Sequence, residues 1–144
     1  MAIIKNDSGL LCIPSSGFAG VVHQQRFEIN IPAGLNTGDI IELGVLLANA
    51  RICGCLLDAD VQTDMVVDIG FMSGDVGSDD QSRTCGNEIF NDQKVDGNLT
   101  MITTGAPLRL AKSDVDRSIG VKVVTKASAE NVGGVFALEV AYCE

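Results

Sequence analysis

Arg26-Phe27-Glu28-Ile29-Asn30-Ile31 decides the class of fold. Apolar and polar side chains alternate at period two, so an extended backbone sends Phe27, Ile29 and Ile31 to one face and Arg26, Glu28 and Asn30 to the other. Pro32-Ala33-Gly34 then stops the run. The signature recurs downstream of it. After the turn signal Asn36-Thr37-Gly38, the segment Asp39 to Leu46 sets Ile41, Leu43 and Val45 against Glu42. Arg51 to Asp58 is largely apolar on both faces, with Ile52, Gly54 and Leu56 opposite Cys53, Cys55 and Leu57, and reads as a strand covered on both sides. Met65, Val67, Ile69 and Phe71 alternate with Val66, Asp68, Gly70 and Met72. Leu99, Met101 and Thr103 suggest another strand, and Pro107 to Leu110 a short one that its proline confines to an edge or a start. Ile119, Val121 and Val123 follow, and Phe136, Leu138, Val140 and Tyr142 form the last, entered through Gly133-Gly134. Cys85 to Asn91 reads as a short helical turn or as irregular chain.

Composition agrees with this pattern. Val and Ile number 27 against 12 Leu, and β-branched side chains favour the pleated surface of a strand. Sixteen glycines supply turns between short strands. At 144 residues the chain fits one domain. The expected fold is all-β, an antiparallel, jelly-roll-like β-sandwich of about eight strands over residues 21–144, preceded by an extended N-terminal arm over residues 1–20. The arm mixes Ile3-Ile4 and Leu10-Leu11 with Asn, Asp, Ser, Gly and Pro14 and has no period of its own.

Ten Lys and Arg face nineteen Asp and Glu, a net charge of −9. Such a surface repels phosphates, so neither nucleic acid nor an anionic membrane is expected as a direct partner. The first residues lack the apolar core of a secretory signal, which points to a chain made in a cytoplasm, and no uncharged apolar run approaches the ~20 residues of a membrane helix. The sequons Asn6-Asp7-Ser8 and Asn98-Leu99-Thr100 are therefore read as accidental. A single histidine, His23, cannot furnish the imidazoles of most catalytic zinc or iron sites, and neither a Gly-x-Ser-x-Gly elbow nor a glycine-rich phosphate cradle is present. No catalytic residue, metal ligand or cofactor site is assigned, and the protein is not expected to be an enzyme.

Three groups of residues remain. Asp58, Asp60, Asp64, Asp68, Asp75, Asp79 and Asp80 lie between Arg51 and Arg83 with no cation among them, but they lack the spacing of a calcium loop and read as a solvated acidic rim, part of it in the polar loop Ser73 to Ser82. Cys53 and Cys55 read as small core hydrophobes, because i and i+2 of a strand lie too far apart to bridge. Cys12 and Cys143, near the chain ends, are candidates for an intermolecular disulfide in an oxidising medium. Asp116-Arg117-Ser118 opens a strand or joins a buried network.

Several stretches, taken in order, are similar to known proteins: Gly38-Asp39-Ile40-Ile41-Glu42-Leu43-Gly44-Val45-Leu46, Ala50-Arg51-Ile52, Leu57-Asp58-Ala59-Asp60, Asp68-Ile69-Gly70-Phe71-Met72-Ser73-Gly74, Arg83-Thr84-Cys85-Gly86 and Asp116 to Val123. Together they resemble the head cement, or capsid decoration, proteins of short-tailed bacteriophages. The resemblance implies a virion structural protein on the outer surface of the capsid. Its partner there is the major capsid protein, which it binds as a homodimer or homotrimer and reinforces. The apolar residues of the arm, Ile3, Ile4, Leu10, Leu11, Ile13 and Phe18, are the candidate capsid contacts, against the alternative that the arm folds back as an edge strand. The competing functional reading is a phage tail or fibre module that binds host glycan.

Overall fold

Alternation at period two along most of the chain yields, among the described residues, nine strands in two facing sheets. The computed structural model describes residues 1–6, 21–60, 62–128 and 134–144. The strands are β1 (Ile3–Lys5), β2 (His23–Asn30), β3 (Ile40–Leu46), β4 (Arg51–Ala59), β5 (Gln62–Phe71), β6 (Phe90–Asp96), β7 (Thr100–Met101), β8 (Arg117–Thr125) and β9 (Val135–Cys143). One sheet runs β1-β3-β8-β5-β6 and the other β2-β9-β4-β7. Every pairing is antiparallel except that of β1 with β3. The chain is thus an all-β sandwich, as its periodicity requires.

The core lies between the sheets. Phe27 from β2, Leu43 from β3, Leu57 from β4, Val67 and Ile69 from β5, Val121 from β8 and Leu138 from β9 are at most 2% exposed. Each such side chain contributes about 1.5–3 kcal/mol by leaving water. The long β4–β9 and β2–β9 registers place Leu57 beside Leu138 and Phe27 on the other side of it, so the centre of the four-stranded sheet is one apolar row.

Two irregularities redirect side chains that strict alternation would place otherwise. The β3–β8 register shifts between Glu42 and Gly44. Ile41, Leu43 and Leu46 join the core, while Val45, expected on their face, pairs with Ser118 instead. The β4–β9 register shifts between Ile52 and Gly54. An extra residue in one strand bends it and re-aims what it carries, so Ile52 and Cys55 are both buried while Cys53 is exposed. Strand β4 is therefore covered on one face rather than two, and only Cys55 of the two thiols is a core residue.

One further expectation is corrected, and one left open between a helical turn and irregular chain is decided. Pro107–Arg109 is a turn of 3-10 helix, not a strand, because proline's fixed φ suits the first position of a helical turn and it lacks the N–H a ladder needs. Cys85 to Asn91 holds no helix: Cys85 bridges Met72, and the chain enters β6 at Phe90.

Ile3 and Ile4 pair with Ile40 and Ile41 and are half-buried. Leu10, Leu11, Cys12, Ile13 and Phe18 lie outside the described residues.

Candidate functional site

Strand β3 is buried along its whole length, Glu42 included. A carboxylate between Ile41 and Leu43 has to meet a cation or be neutralised, since an unpaired buried charge is prohibitive. The cation is Arg83, at the end of the loop that leaves β5 at Phe71. Its Nη2 donates to Glu42 Oε1 at 2.8 Å and to Ser118 Oγ at 3.0 Å. Ser118 Oγ–H donates to the same carboxylate oxygen at 2.5 Å, and the Gly77 N–H does so at 3.0 Å. The other arms of the guanidinium hold the loop itself: Nε donates to the Ser73 carbonyl at 2.8 Å and Nη1 to the Ser78 carbonyl at 3.2 Å.

Burial pushes the Glu42 carboxyl up, yet Arg83, Ser118 and the Gly77 N–H together outweigh it and hold the group below its ordinary value. It is ionised, enclosed and engaged by three donors, an arrangement that fixes geometry rather than moving protons.

The loop so anchored lies on the outer face of the five-stranded sheet. Gly70 and Gly120, opposite each other on β5 and β8, make room for it. A Cβ on Gly70 would fall 2.5 Å from the Gly86 carbonyl carbon, and one on Gly120 would fall 2.5 Å from Met72 Cγ. The chain's first residues are tied to the same corner. Lys5 Nζ donates to the Gly77 carbonyl at 2.7 Å and pairs with Asp79, the Ile3 N–H donates to Gln81 Oε1 at 3.2 Å, and the Ala2 N–H donates to Asp39 Oδ1 at 2.9 Å. Beginning of chain, strand β3 and acidic loop thus form one unit.

The other expected groups are dispersed. Asp60, Asp64, Asp75, Asp79 and Asp80 are exposed. Asp58 meets Arg26 Nη2 at 2.8 Å, and Asp68 accepts the Asp92 N–H at 2.8 Å. Among the described residues no three His, Cys, Asp or Glu side chains converge as metal ligands. His23 stacks on Tyr142 with ring centroids 5.7 Å apart. Arg117 opens β8 and lies 4.1 Å over the Phe71 ring, and Ser118 enters the Glu42 network, so Asp116-Arg117-Ser118 both starts a strand and contributes to buried polar contacts. Cys143 closes β9 with its sulfur 2.9 Å from that of Cys53. Exposed apolar side chains gather at the β7 edge of the four-stranded sheet, with Leu99 just before β7, Met101 within it and Leu108 on the 3-10 turn.

The whole described arrangement superposes on a chain of the capsid of Ralstonia phage GP4, with a TM-score of 0.89 and 36% identity over 99% of this chain and 97% of that one. This chain belongs to a family of phage capsid proteins. A chain of the cyanophage Pam1 capsid shares the fold at 21% identity and TM-score 0.64, covering 92% and 91% of the two chains. So does one from the acidic stable capsid of Helicobacter pylori bacteriophage KHP30, at 15% identity and TM-score 0.56, covering 88% and 90%. No protein-family model and no curated protein matches the chain. A capsid protein works through shape, rigidity and contact, and the Glu42–Arg83 corner is of that kind. Sequence reading placed Glu42 on a strand and Arg83 after a loop but had no means of pairing them. The available signal was one acid inside the apolar run Ile40-Ile41-Glu42-Leu43, which demands a partner somewhere.

Proposed function

We propose that this capsid protein is a cement protein, attached to the outside of a shell built from the major capsid protein and reinforcing it as a homodimer or homotrimer. The observation that carries the reading is the end-to-end match with a phage capsid chain. The net charge of −9 supports the outer side, because a chain lining the interior would face packaged nucleic acid of the same sign. The strand order, with β2, β9, β4 and β7 in one sheet and β3, β8, β5 and β6 in the other, supports a jelly roll with β1 added at its edge. Multivalent placement over neighbouring capsomers turns modest contacts into lasting attachment.

Ile3, Ile4, Leu10, Leu11, Ile13 and Phe18 are the proposed capsid contacts, and of these Ile3 and Ile4 are half-buried in β1, which pairs with β3 at the sheet edge. The glycan-binding alternative finds less support, since aromatic platforms are its usual currency. Phe27, Phe90, Phe136 and Tyr142 are buried, and Phe71 lies under Arg117.

Cryo-electron microscopy of purified virions tests the assignment. Many copies over the outer face of the head are expected, whereas a few copies confined to the tail would refute it. Undecorated capsids mixed with the purified chain test the contact. Leu10→Asp combined with Leu11→Asp and Ile13→Asp should abolish decoration while leaving β1 and the sandwich folded, and undiminished occupancy would remove the arm from the interface.

A further inference from the structure

Of the five cysteines, four lie among the described residues, and their surroundings divide them sharply. Cys55 is sealed in the core and Cys85 is packed behind Gly120, and burial pushes both thiols up to about 12. Neither offers a thiolate near neutral pH. Cys53 and Cys143 differ in placement, their sulfurs facing each other, although burial and the neighbouring Cys143 push the Cys53 thiol up as well. The bulge in β4 turns Cys53 out to solvent, and its sulfur lies 2.9 Å from that of Cys143 at the end of the adjacent strand β9. The register sets Arg51 directly opposite Cys143. Cys143 accepts the hydrogen bond from Cys53 and another from Arg51, and these two hold its thiol below the ordinary value.

We propose that Cys53 and Cys143 form a redox pair that closes into an intrachain disulfide when the protein passes from a reducing to an oxidising medium. A disulfide bond is about 2.05 Å long and suits neighbouring antiparallel strands only where the side chains converge. The bulge supplies that convergence, and the sulfurs already touch.

Glutathione disulfide serves as the oxidant. When Cys143 is ionised, the exposed Cys53 sulfur attacks one of its sulfurs while passing its proton to the Cys143 thiolate, giving a mixed disulfide and one glutathione thiolate. That thiolate takes the proton back from Cys143. The regenerated Cys143 thiolate then attacks Cys53 Sγ and expels the second glutathione thiolate. Two protein sulfurs are oxidised and one glutathione disulfide is reduced to two thiols, one of them ionised. The bond joins residues 90 apart and so constrains the unfolded chain across most of the domain. It fastens the last strand of the four-stranded sheet to its neighbour after the particle leaves the cell.

The purified full-length chain, treated with glutathione disulfide, tests this. Titratable thiols should fall from five to three. Peptide mapping without reductant should join the Cys53 and Cys143 peptides, and the thermal midpoint should rise by about 5–10 °C, reversibly with reductant. Cys53→Ser and Cys143→Ser should each keep their four remaining thiols under the same treatment. Retention of all five thiols by the wild type would overturn the proposal. So would a bond from Cys143 to Cys12 that runs chains as dimers on a non-reducing gel.

Discussion

Arg83 and Glu42 are 41 residues apart in sequence and 2.8 Å apart in space, with both side chains withdrawn from solvent. The pair closes the acidic loop over β3, and through Lys5 and the Ile3 N–H it also holds the beginning of the chain. Removing one member leaves a bare charge in a low-dielectric site. Arg83→Met should therefore destabilise the protein by about 3–5 kcal/mol. The double variant Arg83→Met with Glu42→Leu should recover much of that, because the orphaned carboxylate goes with its partner. Urea unfolding of the three proteins checks this, and a double variant as unstable as the single would show that loop geometry, not the bare charge, sets the loss.

Acid should loosen the same corner. The folded-state value of Glu42 lies below its ordinary 4.5, so its contribution is complete above that pH and is lost as pH falls through the lower, folded value. The unfolding midpoint of the wild type should drop below about pH 4.5 more steeply than that of Glu42→Gln, which has no proton to take up at this position. Thermal scans at a series of pH values compare the two slopes. Parallel curves would remove Glu42 from the acid response.

Gly44 is a packing requirement. A Cβ there would fall 2.4 Å from the Phe27 ring, which is 2% exposed and fixed in the core. Gly44→Ala should cost about 1–3 kcal/mol by overpacking. Pairing it with Phe27→Leu should give a total loss smaller than the sum of the two, since the second change opens the space that the first fills. Additive losses in denaturant titrations would mean that the ring has room to move.

Alternation found β2, β3, β5, β8 and β9 because each sets one apolar face against a different opposite face, and β4 showed as a short run apolar on both faces. It failed at β6, Phe90-Asn91-Asp92-Gln93-Lys94-Val95-Asp96, where only Phe90 and Val95 are buried and Asp92 has a φ of +49°. An edge strand carries charge and irregularity to discourage further pairing, so its sequence looks like a loop. The bulges at β3 and β4 escaped for a related reason: one extra residue changes the face of everything beyond it without changing the composition. Cys53 thus moved from expected core to surface, and Val45 from the core face to the face of Glu42. The Glu42–Arg83 contact was out of reach because nothing local in either segment names its partner. The β4–β9 pairing that brings Cys53 to Cys143 was hidden in the same way, since it is a property of sheet order.

Arg26 provides the contrast that separates burial from ion-pair number. It reaches Glu28 on its own strand at 2.8 Å, Asp58 on β4 at 2.8 Å and Glu139 on β9 at 3.3 Å, so it spans three strands with more partners than Arg83 has carboxylates. Hydrogen bonds donated to Glu28 and Asp58 hold its guanidinium well above the ordinary range. Yet its side chain is 37% exposed, where water and salt compete for every contact. Arg26→Ala should therefore cost about 1 kcal/mol or less at low salt. The loss should shrink further as added salt screens the three carboxylates left facing one another. Arg83→Met, measured beside it, should stay near its full loss at every salt concentration. If the two variants prove equally unstable, or respond equally to salt, then the number of partners rather than their seclusion governs this fold, and the weight placed on the Glu42 corner is misplaced.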